Sequence, residues 1–243
     1  MPTLVILCLF ASALTAQGFD FASGTTIEGK KVTVCHVDLQ KESLAIFLRD
    51  DAGKPLKSFE GIEHWLEPQG KRLLFGMNAG MYRGDFSPVG LCVSKGVTLN
   101  PLNLDNGEGN FFLKPNGVFL ISDLGARVIA SQEYPALKEK VLLATQSGPL
   151  LMCNGRIHPA FQPGSKNRLY RNGVGAVSPQ RIVFVISEEP VNFYEFAVFF
   201  RDGLHCENAL FLDGTVSSLH APELKRSDKK MDLGPIFGIV GNR

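Results

Sequence analysis

The chain is short of the features that usually announce a partner or a reaction. It has no basic block and no acidic tail, and 25 Lys and Arg stand against 24 Asp and Glu for a formal net charge of +1. That balance gives no general attraction to nucleic acid or to an anionic membrane, so any grip on an anion must come from individual side chains. There is no G-x-S-x-G elbow, no P-loop, no G-x-G-x-x-G after a strand and no H-E-x-x-H, which removes the common signatures of serine hydrolases, nucleotide binders and zinc peptidases. No two cysteines have C-x-x-C spacing, and His36, His64, His158, His205 and His220 never fall at metal-ligand spacing. The stretch DNGEGN at 105–110 lacks the register of a calcium loop. No metal and no cofactor are expected.

Long apolar runs are equally scarce, with one exception. Leu4 to Leu14 has the length of a signal-peptide h-region and is followed by the small-residue patterns Ala11-Ser12-Ala13 and Leu14-Thr15-Ala16. It is too short to span a bilayer comfortably, and no Lys or Arg precedes it. The reading is a cleaved export signal over 1–18 and one domain over 19–243. It implies a periplasmic or secreted protein with no stable membrane insertion after cleavage; a buried N-terminal strand or helix is the alternative. Cys35, Cys92, Cys153 and Cys206 then remain, an even number that allows three pairings in an exported chain. Free buried cysteines packing as small hydrophobes fit the pattern equally well.

What the sequence does have is many short strands. Val32–Asp38 and Leu44–Leu48 read as a hairpin-like pair, and Ser58 caps a helix with Phe59, Ile62 and Leu66 on one face until Pro68 stops it. From Leu73 to Ile129 short strands alternate with glycine-rich turns, and 141–145, 149–153, 174–177 and 182–186 continue the pattern. Asn192 with Glu195 resembles a capping box opening a helix striped by Phe193, Phe196, Ala197 and Phe200, with Gly203 as its stop. Strands at 209–212 and 236–240 close the chain. With no linker-like composition shift and no internal repeat, the expectation is a single α+β domain: a mixed or antiparallel sheet core flanked by a few helices.

Four polar, glycine-bracketed segments stand at strand ends: Asn78 in FGMNAGMY, Gln146-Ser147-Gly148 in TQSGP, Arg171-Asn172 in RNGVG, and Asp213-Gly214 in LFLDGT. Taken singly each reads as a β-turn. Glycine also lets backbone approach a ligand closely, and loops on a rigid scaffold are where function concentrates. NAGMY, TQSGPLL followed by CNG, RNGVG and FLDGTVSSL come in the same order as motifs of the phosphodiester glycosidase family, which the chain resembles from about Cys35 to its last strand. The stretches NAGMYRGDFSPVGL, GEGNFFLKPNGVF and CENALFLDGTVSSL resemble its exported bacterial branch most. Compared with the uncovering-enzyme branch, Met81-Tyr82 replaces Phe-Phe after NAG, Arg171-Asn172-Gly173 replaces an R-T-A segment, and two glycines after Asp213-Gly214 are missing.

The resemblance implies a hydrolase acting on a sugar-1-phosphodiester or a related glycoside. An oxocarbenium-like transition state calls for one carboxylate near the anomeric carbon. The phosphate leaving group, already the anion of a strong acid, calls for a cation and hydrogen-bond donors. Asp213 and Arg171 are the expected catalytic pair. Asn78, Gln146, Ser147, Gly148, Asn172 and Gly214 would contact substrate, with Asp85 and Glu108 as further carboxylates. Two other classes use the same loops: a non-catalytic binding module for envelope glycans or sugar phosphates, and a structural envelope protein whose motifs only make turns. Convergence of Asn78, Arg171 and Asp213 on one place separates the first two from the last.

Overall fold

The computed structural model describes residues 18–27 and 29–243, so the export signal read over 1–18 lies outside the described residues except for Gly18. The architecture is α+β, three antiparallel sheets with a few short helices. The seven-stranded sheet runs Phe19–Ile27, Lys30–Asp38, Arg181–Ser187, Asn172–Ser178, Asn208–Phe211, Leu150–Cys153, Arg156–Ile157. A five-stranded sheet runs Arg226–Ser227, Leu219–Ala221, Lys71–Asn78, Ile236–Asn242, Leu44–Phe47. The third, also five-stranded, runs Val97–Asn100, Cys92–Ser94, Val141–Ser147, Gly117–Ser122, Gly125–Ala130.

The three sheets share one core. Phe184 of the first sheet lies 5.1 Å from Phe75 and 5.1 Å from Phe237 of the second, and 6.3 Å from Phe119 of the third, between ring centroids. The apolar run Ile182 to Ile186 reflects burial on both faces. Ile182, Phe184 and Ile186 point into the shared core, whereas Val183 and Val185 pack with Phe196 and Phe200 of the helical segment on the far side.

Both expected helices form. Ser58 Oγ accepts from Gly61 N at 3.0 Å and starts the helix Phe59–Leu66, whose Phe59, Ile62 and Leu66 are buried. The second helix, Phe193–Val198, carries a full capping box: Asn192 Oδ1 accepts from Glu195 N at 2.9 Å, and Glu195 Oε2 accepts from Asn192 N at 3.3 Å. It continues into one wider π turn, Phe199–Gly203, that buries both Phe199 and Phe200.

One local expectation is overturned. The strands around 32–38 and 44–48 are not a hairpin: Lys30–Asp38 pairs with Phe19–Ile27 and Arg181–Ser187, and Leu44–Phe47 pairs with Ile236–Asn242 in another sheet. The turn after Asp38, closed by Lys41 N and Glu42 N donating to the Asp38 carbonyl, carries the chain from one sheet to the next. Partners roughly 150 and 190 residues away outcompete the neighbour in sequence because they complete the core. Among the described residues, Cys35, Cys92, Cys153 and Cys206 are free. Burial pushes the Cys92 and Cys206 thiols up to about 12, so they pack as hydrophobes and are poor nucleophiles.

Candidate functional site

Each sheet delivers a polar residue to the same junction. Asn78 ends the strand Lys71–Asn78, Ser147 ends Val141–Ser147, and Asn172 opens Asn172–Ser178. Asp213 lies two residues beyond the strand Asn208–Phe211. Asn78 Nδ2 donates to the Asp213 carbonyl at 3.0 Å, and Asn78 Oδ1 accepts from Asn172 Nδ2 at 2.9 Å and from Ser218 N at 3.0 Å. Asn172 Oδ1 accepts from Asp213 N at 3.2 Å and from Ser217 Oγ at 3.5 Å. Ser147 Oγ donates to the Leu212 carbonyl at 2.7 Å. Asn78, Ser147, Asn172, Ser217 and Ser218 are all buried. A buried polar knot of this kind is stable only when its groups are bonded, and these partners fix the backbone of Asp213 on both its carbonyl and N–H sides.

The knot leaves one charge on display. The Asp213 carboxylate is partly buried, accepts from Thr215 N at 3.2 Å, and has no Lys, Arg or His nitrogen within 4.0 Å among the described residues. Burial pushes its pKa up to about 6, and the Thr215 N–H pulls the other way. Tyr82 stands nearby: burial, then the negative charge of Asp213, raise its phenol, whose OH donates to the Asp232 carbonyl at 2.5 Å. Gly214 is required because a Cβ there would stand 2.5 Å from the Tyr170 carbonyl, so the backbone of Tyr170, two residues before the strand Asn172–Ser178, flanks the loop.

Arg171 is placed differently from a side chain reaching into solvent. It is buried, its Nε donates to the Val191 carbonyl at 2.9 Å and its Nη2 to the Asn167 carbonyl at 3.2 Å. The guanidinium carbon lies 3.5 Å over the Phe193 ring and 5.7 Å from that of Phe211, two residues before Asp213. Burial lowers its pKa to about 10, which leaves it charged at neutral pH. It makes no ion pair with Asp213, and only Nη1 is without a hydrogen-bond partner among the described residues.

Gln146 has its amide spent inside the protein. Its Oε1 accepts from Leu91 N at 3.0 Å and Asn103 N at 2.9 Å, and its Nε2 donates to the Asn103 carbonyl at 2.6 Å and to Ser131 Oγ at 3.0 Å. Strand alternation turns it to the face opposite Thr145 and Ser147. Gln146→Leu is therefore expected to cost about 2–3 kcal/mol by orphaning those backbone groups, or about 5–10 °C in Tm. Thermal unfolding beside substrate KM checks this; a raised KM with unchanged Tm would contradict the placement.

Gly148 has no room for a side chain: a Cβ would lie 2.7 Å from the Phe111 carbonyl, and that contact seats the 110–112 turn beside Ser147. Glu108, two residues before this turn, is exposed and makes no hydrogen bond among the described residues. Asp85 is also exposed; its Oδ1 accepts from Ser87 N at 3.0 Å and Ser87 Oγ at 2.6 Å, which holds its carboxyl below the usual range. Thus Asn78, Ser147, Asn172, Asp213 and Gly214 come together. Arg171 stands behind them, and Gln146, Asp85 and Glu108 are engaged or exposed elsewhere. Tyr82 and Tyr170 were absent from the sequence-derived set, although Tyr82 sits inside the NAGMY motif and Tyr170 immediately precedes Arg171. A cleft of about 470 Å³ between Pro115 and the Leu150–Ile157 hairpin is lined by no carboxylate and cannot supply this chemistry.

Comparison with known proteins shows the family to which these motifs belong. The sequence profile of the phosphodiester glycosidase family matches residues 71–229, which include every residue of the knot. An uncharacterized Escherichia coli K12 protein, YigE, is 34% identical over 184 residues, 76% of this chain and 72% of that one. Among solved structures, the zebrafish N-acetylglucosamine-1-phosphodiester alpha-N-acetylglucosaminidase catalytic domain, auto-inhibited by its pro-peptide, superposes with a TM-score of 0.61. It is 14% identical, over 91% of this chain and 81% of that one. A hypothetical protein from Synechocystis gives a TM-score of 0.55 at 15% identity, over 93% of this chain and 62% of that one. With a profile match over most of its length and a relative 34% identical over 76% of it, the chain belongs to the phosphodiester glycosidase family.

Proposed function

We propose that the protein is an exported hydrolase that cleaves the bond between a sugar's anomeric carbon and a phosphodiester oxygen, with Asp213 as the essential carboxylate. The observation that carries this reading is the Asp213 carboxyl itself: unpaired, partly desolvated, and held at a strand end by backbone bonds to Asn78 and Asn172. A structural carboxylate has no use for such a position, because desolvation without a counter-charge destabilises the fold. An ionised Asp213 facing the anomeric carbon stabilises the oxocarbenium-like transition state or attacks it directly.

The balance of the reaction is simple. A water oxygen becomes the new anomeric hydroxyl, the C–O bond to phosphate breaks with its electron pair leaving on oxygen, and the water's second proton ends on buffer or on the released phosphate monoester. The leaving group needs charge neutralisation more than protonation. Arg171 can offer it Nη1, while its other donors hold the 167–171 segment against 191–193 and so keep Tyr170 and Asn172 beside Asp213. The zebrafish relative's name supplies the substrate class, and the apolar run over Leu4–Leu14 is the support for export.

The test is incubation of the purified protein with a panel of sugar-1-phosphodiesters, N-acetylglucosamine 1-(methyl phosphate) among them, in ¹⁸O-labelled water. Expected products are a phosphate monoester and a free sugar carrying the label on its anomeric hydroxyl. Label in phosphate would reassign the reaction to P–O cleavage. Binding without any product across the panel would hand the site to the glycan-binding reading.

A further inference from the structure

The segment 228–235 links the two aromatic residues that flank Asp213. At one end the Lys230 ammonium lies 5.3 Å from the Tyr170 ring centroid, and the Tyr170 carbonyl packs against Gly214. At the other end the Asp232 carbonyl accepts the Tyr82 hydroxyl, and the Tyr82 ring lies against Gly234. Its other charges are neutralised within the protein. Arg226 Nη2 bonds Asp228 at 2.8 Å, Lys229 Nζ reaches Glu60 at 2.6 Å, and Lys57 Nζ reaches Asp232 at 3.1 Å. Lys230 is exposed and has no carboxylate within 4.0 Å among the described residues.

An uncompensated ammonium over the ring of Tyr170, whose own carbonyl packs against the residue after Asp213, fits a ligand with an electron-poor centre and an anionic group a few bonds away. The carboxylate takes the first and the ammonium the second. Ionised Asp213 repels a phosphodiester, and Arg171, buried with two of its three nitrogens committed to carbonyls, has only Nη1 left to set against that repulsion, so a second cation is needed. Lysine suits the task because its compact charge sits on a flexible stem that can leave the Tyr170 face and return to it on product release. The geometry points to Lys230 as the direct phosphate contact of the substrate, with Tyr170 as the platform that holds its ammonium at the rim of the site in the free protein. This rests on the reading of the Asp213 loop as the site of a sugar phosphodiester.

The experiment titrates N-acetylglucosamine 1-(methyl phosphate) calorimetrically into the mature Asp213→Asn protein, alone and combined with Lys230→Met, Lys230→Arg or Lys229→Met; turnover is measured with the same lysine substitutions in the otherwise unaltered enzyme. Loss of one charge-assisted contact predicts a Kd about tenfold weaker for Lys230→Met, with a shallower salt dependence. Lys230→Arg should stay within about threefold because it keeps the charge. Lys229→Met should match its parent, since that lysine is already paired with Glu60. In turnover, KM should rise by a similar factor while kcat stays within about twofold. An unchanged Kd and KM in Lys230→Met would overturn the assignment and leave the hydrolase reading standing. Weakened diester binding in a protein that never releases product would do the reverse. A diester that does not bind the Asp213→Asn protein at all overturns the assignment outright.

Discussion

Asp213→Asn should abolish turnover and at the same time make the protein more stable at neutral pH. The first effect follows from removing the charge that the proposed reaction sets against the reacting carbon, and a loss of about 10³-fold or more in kcat is expected for an electrostatic group of this kind. The second follows from linkage. Burial raises the Asp213 carboxyl from 3.8 to about 6, so the folded state holds its proton more tightly than the unfolded chain does. The stability it contributes is complete below the unfolded value and is lost as pH rises from about 4 through about 6. At pH 7.5 the fold therefore carries the cost of a desolvated charge, which asparagine does not impose. Allowing for partial solvent screening, the gain is about 1–2 kcal/mol, or about 3–6 °C in Tm. At pH 4 the two proteins should melt together. The same titration sets the activity profile: if ionised Asp213 is required, kcat/KM in the wild-type enzyme falls about tenfold per unit below pH 6. Measured melting curves at both pH values and a pH–rate profile check these signs. An asparagine variant that is both inactive and less stable at pH 7.5 would mark Asp213 as a structural residue instead.

The same physics explains what could be read from the sequence. Asn78, Ser147, Asn172 and Asp213 were visible because a polar residue next to glycine at the end of an apolar strand is unusual unless something fixes it there, and the ordered motifs named the family. Both helices were legible from their caps and stripes, since Ser58 and the Asn192–Glu195 pair act through contacts three residues away. Information carried by distant partners was hidden. Nothing local to 32–48 says that its two strands join different sheets, because the choice is made by Arg181–Ser187 and Ile236–Asn242. Gln146 and Arg171 look alike in the motifs, as polar residues beside a strand, yet strand alternation sends Gln146 to the opposite face and Arg171 beneath Phe193. Tyr82, Tyr170 and Lys230 carry no spacing signal, because separate segments bring Tyr82 near Asp213, the Tyr170 carbonyl against Gly214, and Lys230 over the Tyr170 ring. The sequence thus exposes residues that end strands better than residues that line the space between them.

Asn172→Asp, a change of one NH₂ to oxygen, should be more damaging at pH 7 than complete removal of the side chain. Asn172 is fully buried, and its Nδ2 points at two acceptors of Asn78, Oδ1 at 2.9 Å and the backbone carbonyl at 3.3 Å. An ionised carboxylate there would set oxygen against oxygen where, among the described residues, no Lys, Arg or His bonds the side chain, the situation of an uncompensated buried charge costing about 3–5 kcal/mol. Asn172→Ala loses the same bonds without importing charge and should cost about 2–3 kcal/mol. The two variants differ in their pH response. The introduced carboxyl can keep one bond to Asn78 only by holding its proton, so its folded pKa lies above the unfolded value of about 3.9. Its deficit relative to wild type is therefore smallest below that value and grows as pH rises, by about 1.4 kcal/mol per unit, until the folded group ionises. The alanine deficit should stay flat. Urea unfolding of all three proteins at several pH values between 4 and 7 reads this directly, and taking differences from wild type cancels every other titrating carboxylate. Parallel curves for the two variants would mean that Asn172 does not present its amide to Asn78. The knot would then have to be redrawn, and with it the reason Asp213 is held where it is: Asn172 Oδ1 is the acceptor for the Asp213 N–H, so both variants should also lose kcat even where enough folded protein remains to measure it.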